Sequence, residues 1–195
     1  MEPFWINQRI FHPLSKLKCV NDLSLPEDKF IIGSFQRDTE GYDLKTPKLE
    51  KGPDVFCDIV EKISKNKDVH VLLGGWRRQY IINRLNKSSI PYTYIELADF
   101  KTLNKMYNSL DLYIVSSRYE GGPQAIPECS ITKTPIISTD VGCADFYLNP
   151  NSIIDNTNYE DFSLHIDFSY EKALSRSIPN GINHFIKMFN NVNNL

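Results

Sequence analysis

Residues 111–140, DLYIVSSRYEGGPQAIPECSITKTPIISTD, constrain the fold more than any other stretch of this chain. They read as strand, tight loop, helix and strand. Asp111–Val115 enters as an apolar run and Ser116–Gly122 is a polar turn carrying glycine. Gln124–Ile131 has helical character, and Pro135–Ser138 is a second short run rich in β-branched residues. Pro123 suits the first helical position, because its missing N–H has no intrahelical partner to lose there. The free N–H groups and the positive end of the helix would then lie beside Gly122, a seat for phosphate. Glu120 sits on the preceding loop. Glu128 follows after seven intervening residues, one to two turns into the helix. Two carboxylates flanking an anion-binding helix end suit a ligand with hydroxyls on both sides of a phosphate group.

The rest of the chain repeats the alternation. Phe30–Phe35, Val69–Leu73, Tyr92–Ile95, Leu112–Val115 and Pro135–Ser138 read as short strands, and Ser152–Ile154 as a last one. Between them, Val55, Phe56, Ile59, Val60 and Ile63 recur at helical spacing over Pro53–Lys65. Gln79–Asn86 carries Tyr80, Ile81, Ile82 and Leu85, and a helix with Asp99 as its N-cap carries Leu103, Met106, Tyr107 and Leu110. Strands alternating with helices predict an α/β fold, a Rossmann-like parallel sheet with flanking helices. Ligands of such sheets lie beyond the C-terminal strand ends, where the glycine turns fall. Residues 38–52 form a long polar loop, of the kind that is often functional. At the end, Tyr159–Ile166 is weakly patterned, Ser169–Ser177 predicts a short helix, and Ile182, Phe185, Ile186 and Phe189 form an amphipathic face.

The predicted division is 1–29 as a leading or interdomain segment and 30–195 as the Rossmann-like domain including the C-terminal helices. Phe4, Trp5, Ile6, Ile10 and Phe11 are a conspicuous apolar cluster for a terminus, either packed on the domain or marking where a partner domain joins. A net charge of -2 argues against a general nucleic-acid binder, and no specific nucleic-acid partner is expected. No window reaches the length of an apolar membrane span, and the first residues lack the basic head and apolar run of a secretion signal. Cys19, Cys57, Cys129 and Cys143 are scattered, which reads as free thiols in a cytoplasmic setting. His12, His70, His165 and His184 lack metal-ligand spacing, so no metal is expected. The chain has no G-x-G-x-x-G, no phosphate-loop Gly-Lys-Ser/Thr and no G-x-S-x-G elbow.

By themselves Glu120 and Glu128 could be solvated loop and helix residues, common places for glutamate. The Gly-Gly-Pro between them and their position after a parallel strand favour ligand binding. Arg37 and Lys51 flank the long loop. Both are ordinary surface cations or, alternatively, charges that neutralise a diphosphate. Arg77 and Arg78 are weaker candidates for the same field. Asp140-Val141-Gly142 could offer backbone groups to the ligand or be a plain turn.

The order Gly33, Lys51-Gly52, Leu72-Leu73-Gly74-Gly75, Asp111 to Pro123, Glu128 and Thr134 to Gly142 resembles group 1 retaining glycosyltransferases. The match, over about residues 30–145, is to the C-terminal nucleotide-sugar-binding half of their two-domain GT-B fold. The resemblance implies that Glu120 binds hydroxyls of the donor sugar and holds its anomeric carbon, while Glu128 binds the ribose. Backbone groups of Gly121 and Gly122, followed by Pro123, would meet the sugar and diphosphate. Gly33 and Gly142 complete the donor site, and Lys51 stands as the phosphate-binding lysine. The family's arginine directly follows the first-strand glycine; here Ser34 is in that place, and Arg37 is the substitute across an altered loop. Glu120, Lys51 and Arg37 are thus the expected catalytic residues. The substrate would be a nucleotide diphosphate sugar, with no cofactor, and the absence of Asp-x-Asp fits.

An acceptor-binding domain of about 150–200 residues would precede the donor half of such an enzyme. Only some thirty residues do so here. The expected partners are therefore nucleotide sugar and a missing or separate acceptor-binding half, with peripheral membrane association through that half. Transferase activity of the chain alone is expected to be weak or absent. Alternatives are a non-catalytic nucleotide-sugar-binding subunit, another GT-B enzyme such as a sugar-nucleotide epimerase, or a flavodoxin-like domain without a sugar ligand.

Overall fold

The computed structural model describes residues 4–155 and 162–192. Its centre is a six-stranded, wholly parallel sheet in the order β5-β4-β1-β6-β7-β8. The strands are β1 (Phe30–Ser34), β4 (Val69–Gly74), β5 (Tyr92–Ile95), β6 (Leu112–Val115), β7 (Ile136–Thr139) and β8 (Ile153–Ile154). A hairpin of β2 (Thr39–Glu40) and β3 (Thr46–Pro47) stands apart from it, within what the sequence predicts as plain loop. The strand order reverses between β1 and β6, so a crevice opens at their C-terminal ends, the usual ligand position of doubly wound sheets.

The pleat sorts side chains to the two faces. Ile31, Leu72, Tyr113, Val115 and Ile136 point to one core. Ile32, Val71, Leu73, Ile114 and Ile137 point to the other. On the second face lie α2 (Pro53–Ile63) and α3 (Gln79–Lys87), contributing Phe56, Ile59, Ile81 and Leu85. On the first lie α1 (Lys16–Asp22), α4 (Phe100–Asn108), α5 (Ala125–Thr132), α6 (Ala144–Tyr147) and α7 (Ile166–Ser175). Each of Val20, Met106, Ile126, Ala144 and Ala173 is buried there. The Asp99 carboxylate caps α4 by accepting from the Thr102 N–H at 2.7 Å, as its sequence position predicts.

The leading segment joins the first core. Ile6 is buried and bridges to Ser177, accepting and donating backbone hydrogen bonds with Ile178 and Arg176. Phe11 is buried edge-on against Phe100 and Tyr107. Phe4 and Trp5 stay partly exposed beside Phe185 of α8 (Asn180–Val192). Residues 159–161 of the weakly patterned stretch lie outside the described residues, and α7 begins at Ile166, ahead of the predicted Ser169.

One expectation is overturned here. Arg78, a candidate for the diphosphate field, is wholly buried. Its guanidinium donates to Asp38 Oδ2, Ser34 O and Gly74 O, each at 2.6 Å, and so ties the hairpin's base to the ends of β1 and β4. A side chain with every direction filled by protein has nothing left for a ligand. All four cysteines are free and buried. No helix among the described residues is long and apolar enough to cross a membrane.

Candidate functional site

The Lys51-Gly52 step comes first, because its backbone is fixed from all sides. Gly52 has φ +57°, and a Cβ there would stand 1.8 Å from the Ser116 carbonyl oxygen. Only glycine fits that conformation and that contact. The Lys51 carbonyl accepts from Gln36 Nε2 at 3.0 Å and from Ser116 Oγ at 3.2 Å. Arg118, from the loop after β6, forks onto the Asp54 carboxylate at 2.8 and 2.7 Å, while its N–H donates to Glu50 O at 2.8 Å. This pairing holds the Asp54 carboxyl below its ordinary range. The loops after β1 and β6 are thereby stapled across the crevice.

Their side chains meet at its mouth. The Lys51 ammonium pairs with Glu120 Oε2, and Ser117 Oγ donates to the same oxygen at 3.3 Å. Both charged side chains remain partly accessible, at 23% and 18%. The structure thus brings together two residues that the sequence places 69 positions apart.

The third wall is the turn after β7. Gly142 has φ +58°, and a Cβ on it would lie 2.8 Å from Pro123 Cδ and 2.9 Å from Gly122 Cα. The missing side chain lets residues 140–142 rest on residues 121–123. Together they enclose an open concavity of about 570 Å³ lined by Arg118, Tyr119, Glu120, Gly121, Asp140, Val141 and Gly142. Gly121 has nothing within 4 Å of where a side chain would be, so that side of the residue is open.

Three expected placements are corrected. Pro123 is not the first residue of its helix: α5 begins at Ala125, and Pro123 is buried in the loop against Gly142. The proline in the first turn is Pro127, tolerated because first-turn N–H groups have no intrahelical acceptor. Glu128 is consequently in that first turn also. Gly33, expected in the donor site, lies buried inside β1 as its strand predicts and does not line the concavity; a side chain on it would strike Leu110 Cδ1 at 2.3 Å, so packing accounts for the glycine. Arg37 does not line the concavity. Its Nε donates to Thr39 O at 2.8 Å and its guanidinium lies 5.3 Å from the centre of the Trp76 ring.

Glu128 has an unexpected neighbour. Tyr107, fully buried on α4, donates its hydroxyl to Glu128 Oε2 at 2.6 Å. Burial pushes the Glu128 carboxyl up to about 7, against the opposing pull of that hydroxyl. The Tyr107 phenol is itself driven far up by burial and by the adjacent carboxylate. In the sequence Tyr107 reads only as part of an apolar stripe, so its polar task has no local signal. Gln36 and the Arg118–Asp54 staple escape sequence reasoning for the same reason. Among the described residues, no three His, Cys, Asp or Glu side chains converge as a metal site requires.

Fold and site together define a Rossmann-like α/β domain of the kind that forms one half of GT-B glycosyltransferases. Residues 44–167 match the family model described as glycosyl transferases group 1, and the chain belongs to that family. No curated protein sequence matches it. Among solved structures it is similar to a glycosyltransferase from Rickettsia africae, at 17% identity and a TM-score of 0.73, over 97% of this chain and 56% of that one. The C-terminal domain of a group 1 glycosyl transferase from Francisella tularensis matches at 18% identity and 0.62, over 75% of this chain and 76% of that domain. The Anabaena HepE protein in complex with UDP-glucose matches at 15% and 0.59, over 95% of this chain and 47% of that one. At these identities the likeness shows the fold. The chain spans about half the length of the Rickettsia and Anabaena proteins.

Proposed function

We propose that this chain is the donor-binding half of a retaining glycosyltransferase, which transfers a sugar from a nucleotide diphosphate sugar to an acceptor held by another half. Residues 30–195 form the nucleotide-sugar-binding domain in this reading, with 1–29 as its leading segment. The observation that carries it is the meeting of Lys51, Glu120 and the Gly121/Gly142 turn over the β1/β6 crevice. The UDP-glucose bound by the Anabaena neighbour supports the same class of ligand.

In the free chain Lys51 and Glu120 neutralise one another. On donor binding, Lys51 turns to the phosphates and Glu120 to the sugar hydroxyls, so each exchanges an ionic partner for a ligand group. Glu128 accepts from the ribose hydroxyls in its ionised form, in which both oxygens are acceptors and Oε2 also takes the Tyr107 hydroxyl. The backbone N–H groups of Gly121 and Gly122 face the diphosphate. As the glycosidic bond breaks, negative charge grows on the departing diphosphate, and Lys51 with these fixed dipoles stabilises it. Glu120 keeps the anomeric carbon in line for the acceptor. Arg37 joins this set only by leaving Thr39 and Trp76. A cytoplasmic setting fits the four buried free thiols.

Calorimetry against UDP, GDP and several nucleotide sugars tests the reading, with Lys51→Ala and Glu128→Gln alongside the parent. Each variant should lose on the order of 1–3 kcal/mol of affinity, as expected when a buried or charged hydrogen-bond partner goes. Binding to none of these ligands would overturn the donor-domain reading. Unaltered affinity in both variants would overturn the residue roles.

A further inference from the structure

A second cavity of about 620 Å³ opens on the first face of the sheet, between the leading segment, α1 and α4. No residue lines both it and the concavity at Glu120. Its walls are built rigidly. The strap at residues 11–14 is hydrogen-bonded along α4: His12 N–H donates to Asn104 Oδ1 at 3.2 Å, and Leu14 N–H donates to Asn108 Oδ1 at 2.7 Å. Asn108 Nδ2 returns a bond to His12 O at 3.0 Å. Ser15 then caps α1, which packs directly on α4.

The lining has two characters. Ile10, Leu14 and Phe100 make an apolar side, and Leu14 and Phe100 are 40% and 64% exposed. Arg9, Lys18 and Lys101 stand around it with no ion-pair partner among the described residues, while the one carboxylate present, Asp22, is taken by Lys105 at 2.7 Å. The whole chain carries a net charge of -2. An anion is therefore drawn to this place by the local arrangement and not by overall charge. A volume of this size matches ordinary small-ligand sites.

We infer that this cavity binds an anionic amphiphile, a phosphate group joined to an apolar chain, with Arg9, Lys18 and Lys101 on the phosphate and Leu14 and Phe100 against the chain. The chemistry is that of an anionic phospholipid at a bilayer surface, where exposed Leu and Phe enter the acyl boundary and Lys and Arg meet the headgroups. A soluble organophosphate with an apolar part would present the same groups. The site is independent of the donor reading, since neither Glu120, Glu128 nor Lys51 takes part.

The test sediments the 195-residue chain with vesicles of phosphatidylcholine, alone or containing phosphatidylglycerol, and titrates it by NMR with dihexanoylphosphatidic acid and with inorganic phosphate. The expected result is binding to the anionic vesicles that weakens with salt. It should fall about tenfold or more in Lys18→Glu/Lys101→Glu, from roughly fivefold per cation near an anionic surface. Phe100→Ser should weaken it also. The control Lys65→Glu/Lys87→Glu, on exposed residues of the other face, should bind as the parent does. Shifts at Leu14 and Phe100 with the short-chain acid, without vesicle binding, would support the site and assign it to a soluble organophosphate. Three outcomes overturn the proposal: no binding to either amphiphile, equal loss in the control pair, or inorganic phosphate binding as tightly as the short-chain acid.

Discussion

Replacing Glu128 with glutamine should stabilise the fold at alkaline pH while weakening nucleotide binding. Burial raises the Glu128 carboxyl from its ordinary 4.5 to about 7. The folded state therefore holds this proton more tightly than the unfolded chain does, so stability falls as pH rises from 4.5 through about 7. Above that range the ionised carboxylate costs its full burial penalty. At 1.36 kcal/mol per pH unit the gap amounts to roughly 3 kcal/mol. Glutamine is neutral, and its carbonyl oxygen can still accept from the Tyr107 hydroxyl, so most of that penalty should disappear. Replacement of the charged hydrogen bond by a neutral one takes back on the order of 1 kcal/mol. The net gain at pH 8 is about 2 kcal/mol, or a rise in melting temperature of about 4–8 °C for a domain of this size. At pH 5 the parent's Glu128 is already protonated in the folded state, and the two proteins should melt within about 2 °C of each other. Thermal and urea unfolding at both pH values measures this. The diagnostic is the pairing of opposite signs at pH 8, greater stability with poorer nucleotide affinity. A variant that loses stability equally at pH 5 and pH 8 would refute both the buried-carboxylate argument and the role of Tyr107 as its donor.

Gly52→Ala should lower stability by roughly 3 kcal/mol or more, from a left-handed backbone costing about 1–3 kcal/mol and from a Cβ placed 1.8 Å from Ser116 O. Circular dichroism melting would show a fall of about 6–12 °C, and a change below about 2 °C would contradict the packing. Arg78→Met leaves Asp38 buried without its partner and should cost about 3–5 kcal/mol in urea unfolding. The double variant Arg78→Met/Asp38→Leu should recover part of that loss, and a double variant as unstable as the single one would show that the charge of Asp38 is not the cause.

The order of elements was legible in the sequence because it is written in local periods. Apolar alternation and stripes need only neighbours a few residues away, and the five main strands with α2, α3 and α4 fall where these patterns place them, whereas the short helices α1 and α6 were not read from the sequence. Glu120 and Glu128 stood out as candidates for the same reason: their spacing, and the glycines between them, are local. The hairpin within 38–52 was not, because its two strands are two residues each and carry no pattern of their own. Proline chemistry was read correctly and assigned to the wrong residue. Pro123 and Pro127 are both compatible with a helix start, and the contact of Pro123 with Gly142 decides between them.

What the tertiary structure alone decided is who meets whom. Sheet order brings the loops after β1 and β6 together, so Lys51 reaches Glu120 and Arg118 reaches Asp54. Packing of α4 on α5 turns an apparently apolar tyrosine into the donor that holds Glu128. The same long-range arrangement buries Arg78 on Asp38 and leaves Arg37 on Trp76, separating cations that look alike in sequence. The charge and hydrogen-bonding capacity of a side chain are fixed by its identity. Its partner is fixed by register and strand order, which are properties of the whole sheet.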